Sequence, residues 1–106
     1  MIKVYIASPY SDGDKEKNVL RQIYVADKLI SFGFAPYAPL LSHYQDVVCP
    51  QPYETWLSID KEWIKYCDVV LRLLGKSPGA DKEVEIAKSF GIKVVYADEN
   101  DNFNLW

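Results

Sequence analysis

The chain has 106 residues, a formal net charge of −3 and a hydrophobic fraction of 49%. This length suits a single domain, residues 1–106, and the composition excludes a disordered chain and a coiled coil. Fifteen acidic residues against 12 basic ones argue against a nucleic-acid polymer as partner, because binding to a phosphate backbone depends on clustered Lys and Arg. No apolar run approaches the roughly 20 residues of a membrane span, and the first residues lack a signal-peptide pattern, so we expect a cytoplasmic protein without a membrane partner.

The first half of the chain predicts a strand, a helix and a second strand. Residues 2–7 form a β-branched and aromatic run that is typical of a buried strand. Asp14 can cap a helix that ends before Gly33. The apolar positions of this helix recur at three- and four-residue spacing, at Val19, Ile23, Ala26 and Ile30. A weaker strand at 34–38, interrupted by Pro36, precedes a loop at 40–52 with room for one helical turn.

The second half predicts a helix at about 53–66, a buried strand at 69–74, a turn at 75–79, a helix at 81–90 and a last strand at 92–97. A polar tail follows and ends in Phe103 and Trp106, which we interpret as anchors for a partner surface. Cys49 and Cys67 lack the spacing of zinc ligands, so we expect both to be reduced and structural.

Strands that alternate with helices predict an α/β protein with right-handed crossovers. We therefore expect a three-layer Rossmann- or flavodoxin-like fold, with a mostly parallel four-stranded sheet and helices on both faces. Ligands of such folds bind beyond the carboxyl ends of the strands. This rule selects residues 8–10, 40–43 and 75–79 as the candidate site, and these segments include Ser8, Tyr10, His43 and Gly79.

Two carboxylates occupy positions where apolar residues are expected. Asp60 lies on the same helical stripe as Trp56 and Ile64, and Glu83 precedes Ala87 by one helical turn. Glu85 lies on the opposite face and should contact solvent. A buried carboxylate must be paired or must change its pKa, so Asp60 and Glu83 are candidate functional residues. The alternatives are an edge position bonded to backbone for Asp60 and a first-turn acid favoured by the helix dipole for Glu83.

Other residues at the predicted edge have both structural and functional interpretations. The turn at 75–79 joins a strand to a helix, and its N–H groups with the Ser77 hydroxyl can seat a phosphate or form a plain connection. Tyr5 either packs in the core or bonds an active-site carboxylate, and His43 is either a surface loop residue or a ligand contact. With one histidine and no nucleophile elbow, no serine or cysteine triad can be assembled.

In combination, three segments resemble the nucleoside 2-deoxyribosyltransferase superfamily, including its 2'-deoxynucleoside 5'-monophosphate N-hydrolases. The segments are 4–9 (VYIASP), 60–68 (DKEWIKYCD) and 77–83 (SPGADKE), and the resemblance spans nearly the whole chain. Two features depart from the family pattern: Glu85 stands where a glycine is usual, and the loop after residue 9 lacks the arginine of phosphate-binding relatives.

The resemblance implies roles for the residues that match. Glu83 would be the nucleophile, Asp60 the acid and Tyr5 the residue that orients Glu83. Ser77 occupies the position where the nucleotide hydrolases bind phosphate with Ser and the transferases carry Asp. The expected activity is therefore hydrolysis of the N-glycosidic bond of a (deoxy)nucleoside 5'-monophosphate, by a homodimer or larger homo-oligomer, and this interpretation implies no metal or cofactor. The alternatives are a deoxyribosyltransferase and a non-catalytic nucleotide-binding or sensor module.

Overall fold

A computed structural model describes residues 1–105 and shows strands alternating with helices. In chain order the elements are β1 (Lys3–Ala7), α1 (Lys15–Ser31), β2 (Ala35–Tyr37), a 3-10 helix (Pro39–Leu41), α2 (Ser42–Val48), α3 (Tyr53–Ile64), β3 (Val69–Arg72), α4 (Pro78–Ser89) and β4 (Lys93–Tyr96). Each predicted strand is present and shorter than predicted by one to two residues.

The four strands form one sheet in the order β2-β1-β3-β4, and all three pairings are parallel. This arrangement confirms the predicted three-layer α/β fold of the flavodoxin-like type. The chain leaves β1 toward one edge of the sheet for β2 and later returns beside β1 as β3. The carboxyl ends of β1 and β3 therefore flank the point where the strand order reverses, which is the usual ligand site of such sheets.

Each face of the sheet carries its own apolar core. On one face, Val25 and Leu29 of α1 pack with Val4, Ile6 and other residues of the sheet. On the other face lies a second cluster with residues from the sheet, α3 and α4: Tyr5, Ala7, Ile64, Val70, Ala80 and Ala87. Successive residues of β1 thus point to opposite cores, which is why the buried strand reads as a continuous apolar run.

The buried stripe of α1 differs from the prediction. Its buried residues are Val19, Gln22, Val25 and Leu29, whereas Ile30, predicted to face the core, is 60% exposed. The buried stripe includes Gln22, which a search for regularly spaced apolar residues misses because its side chain is polar. Gln22 is buried because its amide bonds the chain on both sides: it donates to the Ile6 carbonyl and accepts from the Leu40 N–H.

Three element boundaries also need correction. The predicted loop at 40–52 contains the 3-10 helix and the whole of α2, a helix with no buried residue and hence no periodic apolar signal. Helix α3 ends at Ile64. Helix α4 begins at Pro78, earlier than the predicted residue 81, because the Ser77 side chain caps it and proline fits its first turn.

The polar tail packs back on the domain. Leu105 is buried in the α1-side core, and the Phe103 ring meets the Phe32 ring edge-on at 6.3 Å. Phe103 therefore anchors the tail to the domain itself. Trp106, the other predicted anchor, lies outside the described residues. No helix in residues 1–105 is long and apolar enough to cross a membrane.

Candidate active site

A pocket of about 550 Å³ opens at the carboxyl ends of β1 and β3. All three segments selected from the sequence reach it. The predicted site residues that line it are Ser8, Tyr10, His43, Asp60, Ser77, Gly79 and Glu83. Tyr5, the remaining predicted residue, is fully buried and bonds Glu83. The fold thus brings together residues that are up to 78 positions apart in the chain.

Glu83 faces inward from α4 and is 8% exposed, whereas Glu85 is exposed, as their helical spacing predicts. The Tyr5 hydroxyl, at the centre of β1, donates a hydrogen bond to Glu83 Oε2. Burial and the neighbouring charges of Glu83 and Asp60 raise the pKa of Tyr5 well above its ordinary value. Tyr5 therefore stays protonated and acts as a permanent donor to Glu83.

Asp60 approaches the same carboxylate from α3. Burial raises the pKa of Asp60 to about 6, against the hydrogen bonds that favour its charged form. Burial also raises the pKa of Glu83 to about 8, helped by the charge of Asp60 and opposed by the Tyr5 bond. Because both pKa values are raised, the two carboxyl groups hold a proton more strongly than carboxyl groups in water do. One member can then be ionised while the other donates a proton.

The raised pKa of Glu83 predicts a pH-dependent stability. An acid whose folded pKa exceeds its unfolded value binds more protons when folded, so its contribution to stability falls as pH rises from about 4.5 to about 8. Glu83→Gln removes this penalty and keeps an acceptor for Tyr5. We expect Tm to exceed that of wild type by roughly 8 °C or more at pH 9, and the gain to shrink toward pH 5.

Thermal unfolding from pH 5 to pH 9 measures this effect, with the exposed Glu85→Gln as the matched control. A Tm gain in Glu83→Gln that is the same at both ends of the range would mean that Glu83 titrates as it does in water. An equal pH-dependent gain in Glu85→Gln would assign the effect to overall charge.

Two aromatic rings hold Tyr5 in place. Tyr37 stacks on Tyr5 with ring centroids 5.6 Å apart, and Trp63 stacks on Tyr37 at 5.5 Å. Trp63 covers the outer face of Tyr37 and is itself 51% exposed. The stack restricts the Tyr5 ring, so its hydroxyl remains aimed at Glu83.

The turn after β3 presents Ser77 to the pocket. The Ser77 oxygen accepts the Ala80 N–H as the cap of α4, which leaves its hydroxyl proton free to be donated. Gly75 has φ +125°, and a Cβ there would lie 2.9 Å from the Pro9 ring. Glycine is therefore required where the turn crosses the end of β1.

Gln22 supports the side of the pocket that lies across from the turn after β3, a role that no pattern in the sequence predicts. Its side-chain nitrogen donates to the Ser8 hydroxyl at 2.8 Å as well as to Ile6, while its oxygen holds Leu40. Ser8, like Ser77, accepts one bond and retains a proton to donate. Asp46 was also missed: it accepts the Trp56 indole N–H and the Gln51 N–H, both at 2.8 Å, and so joins α2 to α3 beside the pocket.

The outer part of the pocket carries aromatic and cationic side chains. The Tyr10 hydroxyl lies 2.6 Å from His43 Nδ1, and Lys15 sits over the Tyr10 ring. Lys82 sits over the Tyr53 ring in the same way. Lys15 and Lys82 both line the pocket.

Three side chains close to the selected segments in sequence do not line the pocket: Lys17, Lys76 and Tyr44. Tyr44 packs edge-on against His43. Within residues 1–105, no group of three His, Cys, Asp or Glu side chains is placed to hold a metal ion.

The chain matches a known protein family. A family profile matches residues 2–97, which is most of the chain. The chain belongs to the family described as a domain of unknown function, DUF7768. No curated protein matches it.

Solved structures share the fold of this DUF7768 member at low sequence identity. A 2-deoxyribosyltransferase from Bacillus psychrosaccharolyticus is 21% identical with a TM-score of 0.61, and the match covers 89% of this chain and 70% of the transferase. A 2-deoxyribosyltransferase from Leishmania mexicana is 16% identical with a TM-score of 0.68, and the match covers 92% of this chain and 64% of the transferase. The CMP N-glycosidase BcmB of Clostridium botulinum is 20% identical with a TM-score of 0.61, and the match covers 94% of this chain and 74% of the glycosidase. The chain therefore has the fold of the nucleoside 2-deoxyribosyltransferase superfamily.

Proposed function

We propose that the protein hydrolyses the N-glycosidic bond of a (deoxy)nucleoside 5'-monophosphate. The observation that carries the proposal is the carboxyl pair of Glu83 and Asp60, which lines the pocket with Glu83 buried and bonded by Tyr5, and burial raises the pKa of both carboxyl groups. An ionised and a protonated carboxyl side by side are the groups that glycosidic-bond cleavage requires. The likeness to solved deoxyribosyltransferases and a CMP N-glycosidase supports the same chemistry.

In the proposed reaction the Glu83 carboxylate attacks C1' of the sugar. The bond from C1' to the base nitrogen breaks, its electron pair stays with the base, and Asp60 supplies the proton that neutralises the base. Water then attacks C1' of the glycosyl ester, loses a proton to the Asp60 carboxylate and releases Glu83 with the sugar 5-phosphate. Burial favours the protonated form of Glu83, so attack requires its proton to move to Asp60; the hydrogen bond from Tyr5 favours the ionised form of Glu83.

The phosphate end of the substrate is assigned to the turn after β3. Ser77 has a free hydroxyl proton beside the N-terminus of α4, where N–H groups and the helix dipole favour an anion. Gly79, two residues further on, also lines the pocket, and Lys82 and Lys15 add positive charge at the rim. Ser8, Tyr10 and His43 remain for the sugar and base.

Transfer of the deoxyribosyl group to a second base is the alternative, favoured by the two deoxyribosyltransferases among the solved structures that share the fold. Product analysis tests both activities: the protein is incubated with a nucleoside monophosphate, with and without a second free base. Hydrolysis yields free base and sugar 5-phosphate in both reactions. A new nucleotide that carries the second base would instead identify a transferase.

We also propose that the protein forms a homodimer or larger assembly through the edge beside the pocket. Helix α2 has no buried residue there, and Val47 and Val48 are 68% and 79% exposed. Pairing would remove these side chains from water. Light scattering at micromolar concentration should give at least twice the mass of 12.2 kDa, and Val48→Lys should lower it. A wild-type monomer under these conditions would refute the proposal.

A further inference from the structure

Arg72, the last residue of β3, is a buried cation beside the pocket. Its side chain is 6% exposed, and within residues 1–105 it is the only buried Lys or Arg. Its guanidinium donates to the Leu73 carbonyl, to the Gly75 carbonyl at 2.9 Å and to Asp81 Oδ1 at 2.9 Å. One side chain thus connects the end of β3, the following turn and the first turn of α4.

A tether alone does not explain a buried charge. Taking a cation out of water costs free energy, and bonds to two neutral carbonyl groups do not by themselves repay that cost. The one ion-pair partner, Asp81, is 69% exposed, so solvent weakens its compensation of the guanidinium charge. The positive charge of Arg72 is therefore only partly compensated, and it acts on other ionisable groups at this edge of the sheet.

Arg72 reaches the helix that carries Glu83: it donates to Asp81 in the first turn of α4, and Glu83 follows two residues later on the same helix. The titratable groups around its carboxyl are Tyr5 from β1, Asp60 from α3 and Arg72 from β3, with Lys82 beside it on α4 at the pocket. Of the three groups from other elements, Asp60 repels the ionised form of Glu83, while Tyr5 and Arg72 favour it. Arg72 is the only full positive charge among those three.

We propose that Arg72 is a positioning residue: its buried charge, on a side chain that joins β3 to the first turn of α4, acts on the Glu83 carboxyl, and its hydrogen bonds hold the turn after β3 ready for an anion. The second half rests on the proposed function. A turn that binds phosphate must direct N–H groups outward and keep its carbonyl oxygens away. Arg72 engages two such carbonyls, those of Leu73 and Gly75.

The test of the charge measures the titration of the Glu83 carboxyl by carbon-13 NMR, with the signal assigned by its loss in Glu83→Gln. Arg72→Gln should raise its apparent pKa by about one unit, and Arg72→Lys should restore most of the shift. Asp81→Asn, a change at an exposed side chain, should lower the apparent pKa because it removes the compensating charge. Asp81→Asn also decides the question if Arg72→Gln fails to fold.

Arg21 provides the matched control. It donates to the Leu74 carbonyl of the same turn at 2.9 Å and pairs with Asp101 at 2.7 Å, but it lies outside the pocket lining. Arg21→Gln should leave the Glu83 titration unchanged. An unmoved titration in Arg72→Gln and Asp81→Asn, or an equal shift in Arg21→Gln, would overturn the electrostatic role.

The test of the turn measures the affinities of ribose 5-phosphate and ribose by calorimetry. Wild type should prefer the phosphate at least about tenfold, Arg72→Gln should lose most of that preference, and Arg72→Lys and Arg21→Gln should retain it. A preference that survives in Arg72→Gln would overturn this half of the proposal. If wild type shows no preference for ribose 5-phosphate over ribose, this half of the proposal and the phosphate site of the proposed function are both overturned. The NMR titration of Glu83 then still tests the role of the Arg72 charge.

Discussion

Glu83→Gln is expected to lower kcat for base release by at least about a thousandfold while nucleotide affinity changes by only a few fold. The amide keeps the volume of the side chain and an oxygen that accepts the Tyr5 hydrogen bond. It lacks the negative charge that attacks C1'. The loss should therefore fall on kcat, because the interaction removed is formed in the transition state rather than in the bound substrate.

Glu85→Gln is the matched control for this prediction, since it makes the same chemical change on the exposed face of the same helix. Its kcat should remain within about twofold of wild type. Steady-state kinetics give kcat, and calorimetry gives the affinity of each variant for the unreacted nucleotide. Equal losses of kcat in the two variants would remove Glu83 from the role of nucleophile.

Ser77→Asp is expected to erase or invert the preference for a nucleoside 5'-monophosphate over the matching nucleoside. Wild type should prefer the monophosphate at least about tenfold in kcat/KM, because one or two hydrogen bonds to a charged group contribute roughly 1.5–3 kcal/mol each. Aspartate also caps helices well, so α4 should persist. Its carboxylate would repel a phosphate and accept a hydrogen bond from a 5'-hydroxyl.

Ser77→Ala separates the capping role of Ser77 from its role toward phosphate. It removes the bond to the Ala80 N–H and the free hydroxyl proton without adding charge, and it should cost about 1 kcal/mol of stability. The monophosphate preference should fall in Ser77→Ala but invert only in Ser77→Asp. A wild type that prefers nucleosides, or an unchanged ratio in Ser77→Asp, would favour the transferase alternative.

The sheet and the place of the pocket were predictable from sequence because both follow from local patterns. Apolar runs separated by helical periodicity predict parallel strands, and the carboxyl-edge rule then selects residues 8–10, 40–43 and 75–79. All three segments line the pocket in the structure. The inward direction of Glu83 and the outward direction of Glu85 follow from helical geometry in the same way.

The residues that organise the site were harder to find. Gln22 is buried because of bonds to Ile6 and Leu40, and nothing in its own helix indicates those partners. Helix α2 buries no residue, so it produced no apolar period. Arg72 did leave a signal, a charged residue inside the apolar run at 69–74, but its acceptors become evident only when the turn and α4 are placed in space.

Release of free base from a panel of nucleoside and deoxynucleoside 5'-monophosphates decides whether the protein is a hydrolase. Wild type should convert at least one of them to equal amounts of free base and sugar 5-phosphate, and Glu83→Gln should convert none at a comparable rate. Nucleotide binding without any base released over hours would contradict this account and would identify a binding module instead.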